Sequence, residues 1–335
     1  MIKKNDLLVD NCIEEIGFNN LSSLENEDLI FALHKFSIDW IANTKPSQLP
    51  CNPMPEKHPY KSLMPLNTKF NKFIIGTFPP ISYFSDTFDN IKYCNGIKLS
   101  KPNISFYHGN RLMLWKYLLN NIQFGNLSSD RSIKRNQIIN FLIENRINYC
   151  DIIDFCQRLD YNADDANLYN IILNDDLLNV IKSDQSDLLF VFNTGSLFTN
   201  GGMNFTREGK LNPKTFVFDM FVELMINNGF EVKIRIGDID PILINHVNKK
   251  KLSGFTNILR FDILVNDKVI KVVAGPSPAD GDGKLLLNQI FKRFKNKINP
   301  NINYVDADVK RRFKSYVYQT ALLGNPDDLY SLNFD

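Results

Sequence analysis

Two segments far apart in the chain carry residue types from which a ligand pocket can be built: Gly76–Pro80 and Gly275–Asp280. Glycine lets a backbone approach a ligand closely, and proline fixes the shape of a turn, so that backbone N–H groups can point at a carbonyl oxygen. Ser277 adds a hydroxyl suited to a phosphate, and Asp280 adds a carboxylate suited to orienting water. The segments predict polar recognition chemistry, with a plain tight turn at Gly76 as the alternative.

Each of these turns follows an apolar run that predicts a buried strand. Phe73–Ile75 leads into the first turn, and Val272–Ala274 leads into the second. In an open parallel α/β sheet, ligands bind just outside the carboxyl ends of the strands. The two turns are therefore predicted to form two walls of one pocket.

Alternating strand and helix patterns predict the sheet that positions these turns. Five apolar runs read as buried strands: Lys72–Ile75, Asn148–Ile153, Leu188–Asn193, Glu231–Ile236 and Val269–Ala274. Four segments between them have helical spacing: Leu112–Ile122, Ile133–Ile143, Asn167–Ile181 and Phe216–Ile226. A hairpin is predicted at Asn266-Asp267. Strands that alternate with helices indicate a mainly parallel sheet covered on both faces.

The regions outside this core read as extensions. Residues 1–56 predict a helical N-terminal extension and linker, with helical spacing over Leu24–Trp40. The α/β core is predicted over residues 57–298, where Leu285–Phe294 reads as an amphipathic helix that becomes basic. Residues 299–335 predict a basic, helical C-terminal extension.

Composition limits the classes of protein to which this chain can belong. With 335 residues, of which 44% are hydrophobic, and a net charge of +2, the chain can bury a large core. The small net charge produces no overall electrostatic attraction to nucleic acid, so any basic surface that binds it must be local. No apolar stretch approaches the roughly 18 residues of a membrane span. The five scattered cysteines predict reduced thiols and a cytoplasmic protein.

Four short segments follow one another along the chain: Gly76–Pro80, Phe106–Arg111, Tyr149–Cys156 and Ser277–Ala279. Their order and their placement at strand ends resemble the uracil-DNA glycosylase superfamily, most closely its branch of mismatch-type and hypoxanthine-DNA glycosylases. The resemblance covers roughly residues 57–298. It implies an α/β fold, a three-layer α/β/α arrangement with a mainly parallel central sheet, plus the helical N- and C-terminal extensions.

The resemblance implies a monofunctional DNA glycosylase, which flips a base out of the stack and hydrolyses its N-glycosidic bond without a metal or other cofactor. The implied partner is single- or double-stranded DNA that contains uracil, hypoxanthine or a modified cytosine, in DNA repair or in anti-phage defence. The alternative is a catalytically silent nucleic-acid-binding module on the same fold, because Phe78 and Gly275 stand where other members carry polar residues. An unrelated α/β hydrolase finds no support, since the chain has neither a G-x-S-x-G elbow nor a P-loop.

The resemblance assigns the catalytic residues to Asp151, Asp280 and His108. A carboxylate only accepts hydrogen bonds, so Asp151 suits a base edge with an exocyclic amine, unless it serves as a helix cap or in an ion pair. Asp154 competes for this assignment. A protonated His108 would stabilise the leaving base or a phosphate, and Asp280 would orient the attacking water.

The remaining site residues implied by the resemblance bind the base or the DNA backbone. Phe106 and Tyr107 are expected to stack on the flipped base, unless they pack in the core. The base-binding set is Gly76, Thr77, Phe78, Pro79, Phe106, Tyr107 and Asn193, and the phosphate-binding set is Arg111, Ser277 and Lys284.

Overall fold

The computed structural model describes residues 56–58, 60–67, 69–79, 104, 106–109, 113–119, 129–158, 168–193, 217–244, 258–278, 288–298 and 307–333. The predictions for Leu24–Trp40, Asp280, Arg111 and Lys284 lie outside these residues.

Ten strands and six helices make up the described part of the chain. The strands are β1 (Glu56–Lys57), β2 (Lys72–Gly76), β3 (Ile147–Asp151), β4 (Ile153–Arg158), β5 (Leu168–Leu173), β6 (Leu189–Phe192), β7 (Val232–Arg235), β8 (Ile242–Ile244), β9 (Arg260–Val265) and β10 (Lys268–Ala274). The helices are α1 (Met113–Leu119), α2 (Arg131–Glu144), α3 (Asp176–Lys182), α4 (Val217–Asn227), α5 (Asn288–Ile298) and α6 (Ala307–Leu322). Two 3-10 helices span Lys61–Leu63 and Pro326–Leu332.

A seven-stranded sheet in the order β3-β2-β6-β10-β9-β7-β8 forms the centre of the fold. Neighbouring pairs from β3 to β10 are parallel, while β9 and β8 run in the opposite direction. Every residue of β3 and β6 is buried, which is typical of strands covered on both faces. The predicted α/β class with a mainly parallel central sheet is confirmed at this level.

Four of the five predicted strands and the hairpin occur where the sequence placed them, whereas the predicted strand Asn148–Ile153 covers β3 and the first residue of β4, which belongs to another sheet. β9 and β10 are joined by Asn266 and Asp267, with φ angles of 46° and 69°. Two successive residues with positive φ match the turn that suits the twist of a tight hairpin, and Asn and Asp tolerate this conformation better than most residues. Gly229, with φ 79°, ends the segment that contains α4, as its position predicts.

One predicted helix is wrong over half of its length. Asn167–Ile181 has helical spacing, but Leu168–Leu173 forms β5, and the helix α3 begins only at Asp176. β5 pairs with β4, which also pairs with β1, in a separate three-stranded antiparallel sheet. The run contains Tyr169, Ile171 and Ile172, which favour strands, and pairing with β4 outweighs the helical spacing.

The C-terminal segment, which comprises the 3-10 helix Pro326–Leu332 and Asn333, packs onto the sheet through buried groups. The side chain of Asn333 accepts hydrogen bonds from the backbone N–H groups of Leu259 (2.7 Å) and Arg260 (3.0 Å). Arg260 is 1% exposed and binds the carboxylates of Asp262 and Asp327, each at 2.7 Å. Leu329 is also fully buried. Among the described residues, no helix is long and apolar enough to cross a membrane.

Candidate functional site

The carboxyl ends of four neighbouring strands bring the candidate residues to one edge of the sheet. Gly76 at the end of β2 pairs with Asp151 at the end of β3. Asn193 directly follows β6, which lies between β2 and β10, and Gly275 directly follows β10. The first and second turns therefore leave the same edge, separated by one strand.

Gly76 leaves room for two polar groups that approach the end of β2. A Cβ atom at this position would lie 2.2 Å from Oδ1 of Asp151 and 2.7 Å from the hydroxyl of Tyr149. These two residues are two apart on β3, so their side chains share one face of the strand. The absent side chain of Gly76 thus creates the space in which a carboxylate and a phenol meet.

The carboxylate of Asp151 is held by a buried histidine. Nε2 of His58 lies 2.9 Å from Oδ2 of Asp151, and both side chains are at most 5% exposed. The backbone N–H of Tyr60 donates to Nδ1 of the same ring at 3.2 Å. Because Nδ1 accepts this bond, the ring carries its proton on Nε2 and donates it to the carboxylate.

A second hydrogen-bonded group lies beside the first and includes His108. Its Nε2 lies 2.7 Å from the hydroxyl of Tyr149 and 2.9 Å from Nδ2 of Asn193. Nδ2 of Asn193 also donates to the hydroxyl of Tyr149 at 2.5 Å. An amide nitrogen only donates, so Nε2 of His108 is the acceptor in this group, and the ring is neutral.

Burial acts on the titrating groups of the site in one direction, toward their neutral forms. Burial lowers the pKa of His108 from 6.5 to about 4. Burial raises the pKa values of Tyr107 and Tyr149 well above 10.0, and the nearby charge of Asp151 raises them further. A protonated His108, as the resemblance implies, is therefore not the form that the folded chain favours near neutral pH.

The low pKa of His108 makes stability depend on pH. Between about pH 6.5 and pH 4 the unfolded chain binds a proton at this residue that the folded chain does not bind. We expect the contribution of His108 to the free energy of unfolding to be fully present above this pH window and to be lost as the pH falls through it. Urea unfolding of the wild type and of His108→Asn across this window measures it, because asparagine tolerates the positive φ of 50°. Equal slopes of unfolding free energy against pH in both proteins would contradict the expectation.

The two aromatic residues expected to stack on a base are packed in the core. Phe106 is 0% exposed and Tyr107 is 3% exposed. The ring of Tyr107 lies 4.0 Å from that of Tyr149 and 5.2 Å from that of His58, between centroids. Trp115 donates from Nε1 to the backbone carbonyl of Tyr107 at 2.7 Å. Phe106 and Tyr107 therefore belong to the core, which was the alternative to base stacking.

The rest of the first turn is shaped by the backbone of the sheet edge. The carbonyl oxygens of Gly76 and Thr77 accept hydrogen bonds from the backbone N–H groups of Ile152 (2.9 Å) and Ile153 (3.2 Å). Phe78 is 7% exposed, and its ring stands edge-on to that of His58 at 5.7 Å. Pro79 is buried as well. Phe78 thus supports the ring that holds Asp151.

Asp154, the competing assignment, belongs to a different contact. Lys61 lies 3.1 Å from the carboxylates of both Asp154 and Asp176. Burial alone would lower the pKa of Lys61, but the two carboxylates outweigh it and raise the pKa above 10.5. Asp154 therefore forms an ion pair on β4, whereas Asp151 lies at the sheet edge beside Gly76.

The second turn is fixed from the side of the C-terminal helix. The hydroxyl of Tyr318 on α6 donates to the carbonyl oxygen of Pro276 at 2.8 Å. A Cβ atom on Gly275 would lie 3.1 Å from that hydroxyl and 3.1 Å from Val191, so this position is closely packed. Ser277 is exposed just beyond it.

Reasoning from the sequence missed His58 and Tyr149 as members of the site. Tyr149 was within reach of sequence analysis, because a residue two positions before Asp151 on a strand must share its face. His58 lies 93 residues from Asp151 and outside the sheet, and nothing in its spacing indicates the contact. Asp280, Arg111 and Lys284 lie in parts of the chain that the structure does not describe.

Comparison with protein-family models, with curated proteins and with solved structures finds no match to this chain. In the described ranges, no group of three or more His, Cys, Asp or Glu side chains is arranged to hold a metal ion.

Proposed function

We propose that this chain is a monofunctional DNA glycosylase of the uracil-DNA glycosylase-like type, with a three-layer α/β/α core. It hydrolyses the N-glycosidic bond of a flipped uracil, hypoxanthine or modified cytosine. One observation carries the proposal: the carboxylate of Asp151 is buried at the carboxyl edge of the sheet, with Oδ1 beside the end of β2. Ligands of open α/β sheets bind at this edge.

The polar groups of the site suit a base rather than a phosphate. Asp151 offers an acceptor to an N–H group of a base edge, and Asn193 lies at the end of β6, with β2 between the two strands. A negative carboxylate repels a phosphate, while the neutral His108 adds no positive charge. The site therefore favours an uncharged ligand with N–H donors, and a flipped base is such a ligand.

The same carboxylate serves the chemical step. Hydrolysis breaks the bond between C1′ and the base nitrogen, adds the hydroxyl of water to C1′, and gives the proton of that water to the base. Positive charge develops on the sugar as the bond breaks, and a buried negative charge stabilises it more strongly than one in water. We assign Asp151 to this role and to base reading, and we assign the orientation of water to Asp280.

A silent nucleic-acid-binding module is the second candidate function. One observation favours it: Phe78 occupies the third position of the first turn and packs against His58. An apolar ring in this place cannot orient a water molecule. The two candidates differ in whether the chain releases a free base.

A panel of oligonucleotides tests the proposal. Purified protein would be incubated with single- and double-stranded DNA that contains uracil, hypoxanthine or a 5-substituted cytosine, and the resulting abasic sites would be cleaved with alkali. We expect cleavage at one of these bases, and we expect Asp151→Asn to reduce that rate by about 100-fold or more. The matched control is Asp154→Asn, which removes a partly exposed ion pair and should keep the rate within about fivefold.

The outcomes of the panel separate the two candidates. Loss of activity in Asp151→Asn together with retention in Asp154→Asn supports the glycosylase. DNA binding without cleavage of any substrate supports the silent module. Cleavage that is equally fast in wild type and Asp151→Asn removes Asp151 from the chemistry and overturns the assignment.

A further inference from the structure

We propose that His58 is a positioning residue that determines base specificity by holding Asp151 in one orientation. The inference rests on the proposed function, because it assigns a role at the same site. Its starting point is the hydrogen bond from Nε2 of His58 to Oδ2 of Asp151, at 2.9 Å.

The hydrogen bonds of His58 leave it no freedom to act as a base. Nδ1 accepts the backbone N–H of Tyr60 at 3.2 Å, so the lone pair of the ring is occupied and Nε2–H faces the carboxylate. The ring is further packed against Phe78, at 5.7 Å and 88° between ring planes, and against Tyr107 at 5.2 Å. His58 is therefore fixed in tautomer, in position and in ring plane.

This arrangement makes the two oxygens of Asp151 unequal. Oδ2 is bound to His58, whereas Oδ1 has no hydrogen-bond partner among the residues that the structure describes. The Asp151 side chain is 5% exposed, so a ligand N–H that donates to Oδ1 would give this largely desolvated carboxylate a second hydrogen bond. The oxygen left open is the one beside Gly76, at the edge where the ligand is expected.

A carboxylate with one oxygen held presents a directional acceptor. If Asp151 were free to rotate about its terminal torsion, either oxygen could meet an N–H group, and bases with differently placed donors would bind alike. With Oδ2 fixed by His58, a base must place its N–H on Oδ1. The selection among N–H-bearing bases therefore depends on His58, which does not itself touch the base.

Two variants of His58 test this role on the oligonucleotide that the wild type cleaves best. Glutamine places an amide N–H near the position of Nε2 and keeps the donor to Oδ2, while phenylalanine keeps the ring volume and removes the donor. We expect kcat/KM to fall by about 10- to 100-fold in His58→Phe and to stay within about threefold of wild type in His58→Gln. The control Lys61→Met removes the neighbouring ion pairs to Asp154 and Asp176 and leaves Asp151 untouched.

The decisive readout is the ratio of kcat/KM on the best and second-best bases. This ratio does not depend on the fraction of protein that is folded, so a merely structural role of His58 leaves it unchanged. We expect the ratio to fall by about tenfold in His58→Phe, to recover in His58→Gln and to be unchanged in Lys61→Met. A wild-type ratio in His58→Phe, or a ratio that glutamine does not restore, overturns the inference.

A second measurement keeps the inference separate from the proposed function. The chain has four histidines, and NMR of protein labelled with ¹⁵N at histidine reports the tautomer of each ring. The signals that disappear in His58→Gln are those of His58. We expect a proton on Nε2 and none on Nδ1, and we expect a changed Nε2–H signal in Asp151→Asn. If the wild type cleaves no substrate, the proposed function fails, and the NMR measurement alone tests whether His58 positions Asp151. The opposite tautomer, or an Nε2–H signal that Asp151→Asn does not change, overturns the positioning role.

Discussion

Gly76→Ala is expected to reduce the proposed glycosylase activity by about 100-fold in a protein that still folds. The added Cβ would lie 2.2 Å from Oδ1 of Asp151 and 2.7 Å from the hydroxyl of Tyr149, and neither group can withdraw freely. Oδ2 of Asp151 is bound to His58, and Tyr149 is bound to His108. A displacement of about 1 Å at a reacting group costs on the order of 100-fold in rate, and overpacking of this kind costs about 1–3 kcal/mol of stability.

The measurement compares cleavage rate and urea unfolding in the same preparation. The matched control is Gly229→Ala, because nothing lies within 4 Å of a Cβ there, and its cost arises from the positive φ of 79° alone. We expect the control to lose about 1 kcal/mol of stability and to keep wild-type activity. A fully active Gly76→Ala protein would mean that Asp151 need not occupy the position described here.

Removal of residues 325–335 is expected to prevent the chain from folding stably. The deletion removes two fully buried leucines, Leu329 and Leu332, each worth about 1.5–3 kcal/mol. It also removes Asp327, one of the two carboxylates bound to Arg260; because the Asp327 side chain is 41% exposed and Asp262 remains, this loss costs about 1 kcal/mol. The sum reaches the lower part of the roughly 5–15 kcal/mol that stabilise a whole domain.

Point variants in the same segment are expected to cause smaller losses of stability than the deletion. Asn333→Ala leaves the N–H groups of Leu259 and Arg260 without their acceptor, and we expect a loss of about 2–5 kcal/mol. Asn325→Ala removes an exposed cap of the 3-10 helix and should cost about 1 kcal/mol. Thermal unfolding measures all three proteins, and a truncated chain that melts close to the wild type would show that the C-terminal segment is dispensable.

The sequence predicted the edge of the sheet well and the contents of the site only in part. Buried strands that end in Gly or Pro turns are a local signal, so the strand ends at Gly76 and Asn193 were predicted, whereas the order of these strands in the sheet was not. The roles of Phe106 and Tyr107 depend on which rings surround them. Aromatic residues suit both a core and a stacking surface, and only packing decides between these.

The errors have a common physical cause, which is that long-range pairing is invisible in local spacing. β5 is a strand because β4 lies beside it, although its residues fit a helical period equally well. The contact of His58 with Asp151 joins residues 93 apart, and a lone histidine in a proline-rich lead-in gives no sign of its partner. The ionisation of His108 was misjudged for the same reason, since burial by distant residues sets its pKa.

The bond between the C-terminal segment and β9 sets an order of events during synthesis. Asn333 leaves the ribosome 73 residues after Arg260, which takes about 4 to 15 seconds at ~5–20 residues per second. For most of that interval Asp262 is already present beside Arg260, but Asp327, which lies 67 residues after Arg260, is not. For several seconds the nascent sheet therefore contains Arg260 with only one of its two carboxylate partners, and an apolar surface that the C-terminal segment does not yet cover. Chaperones can bind this surface during that interval.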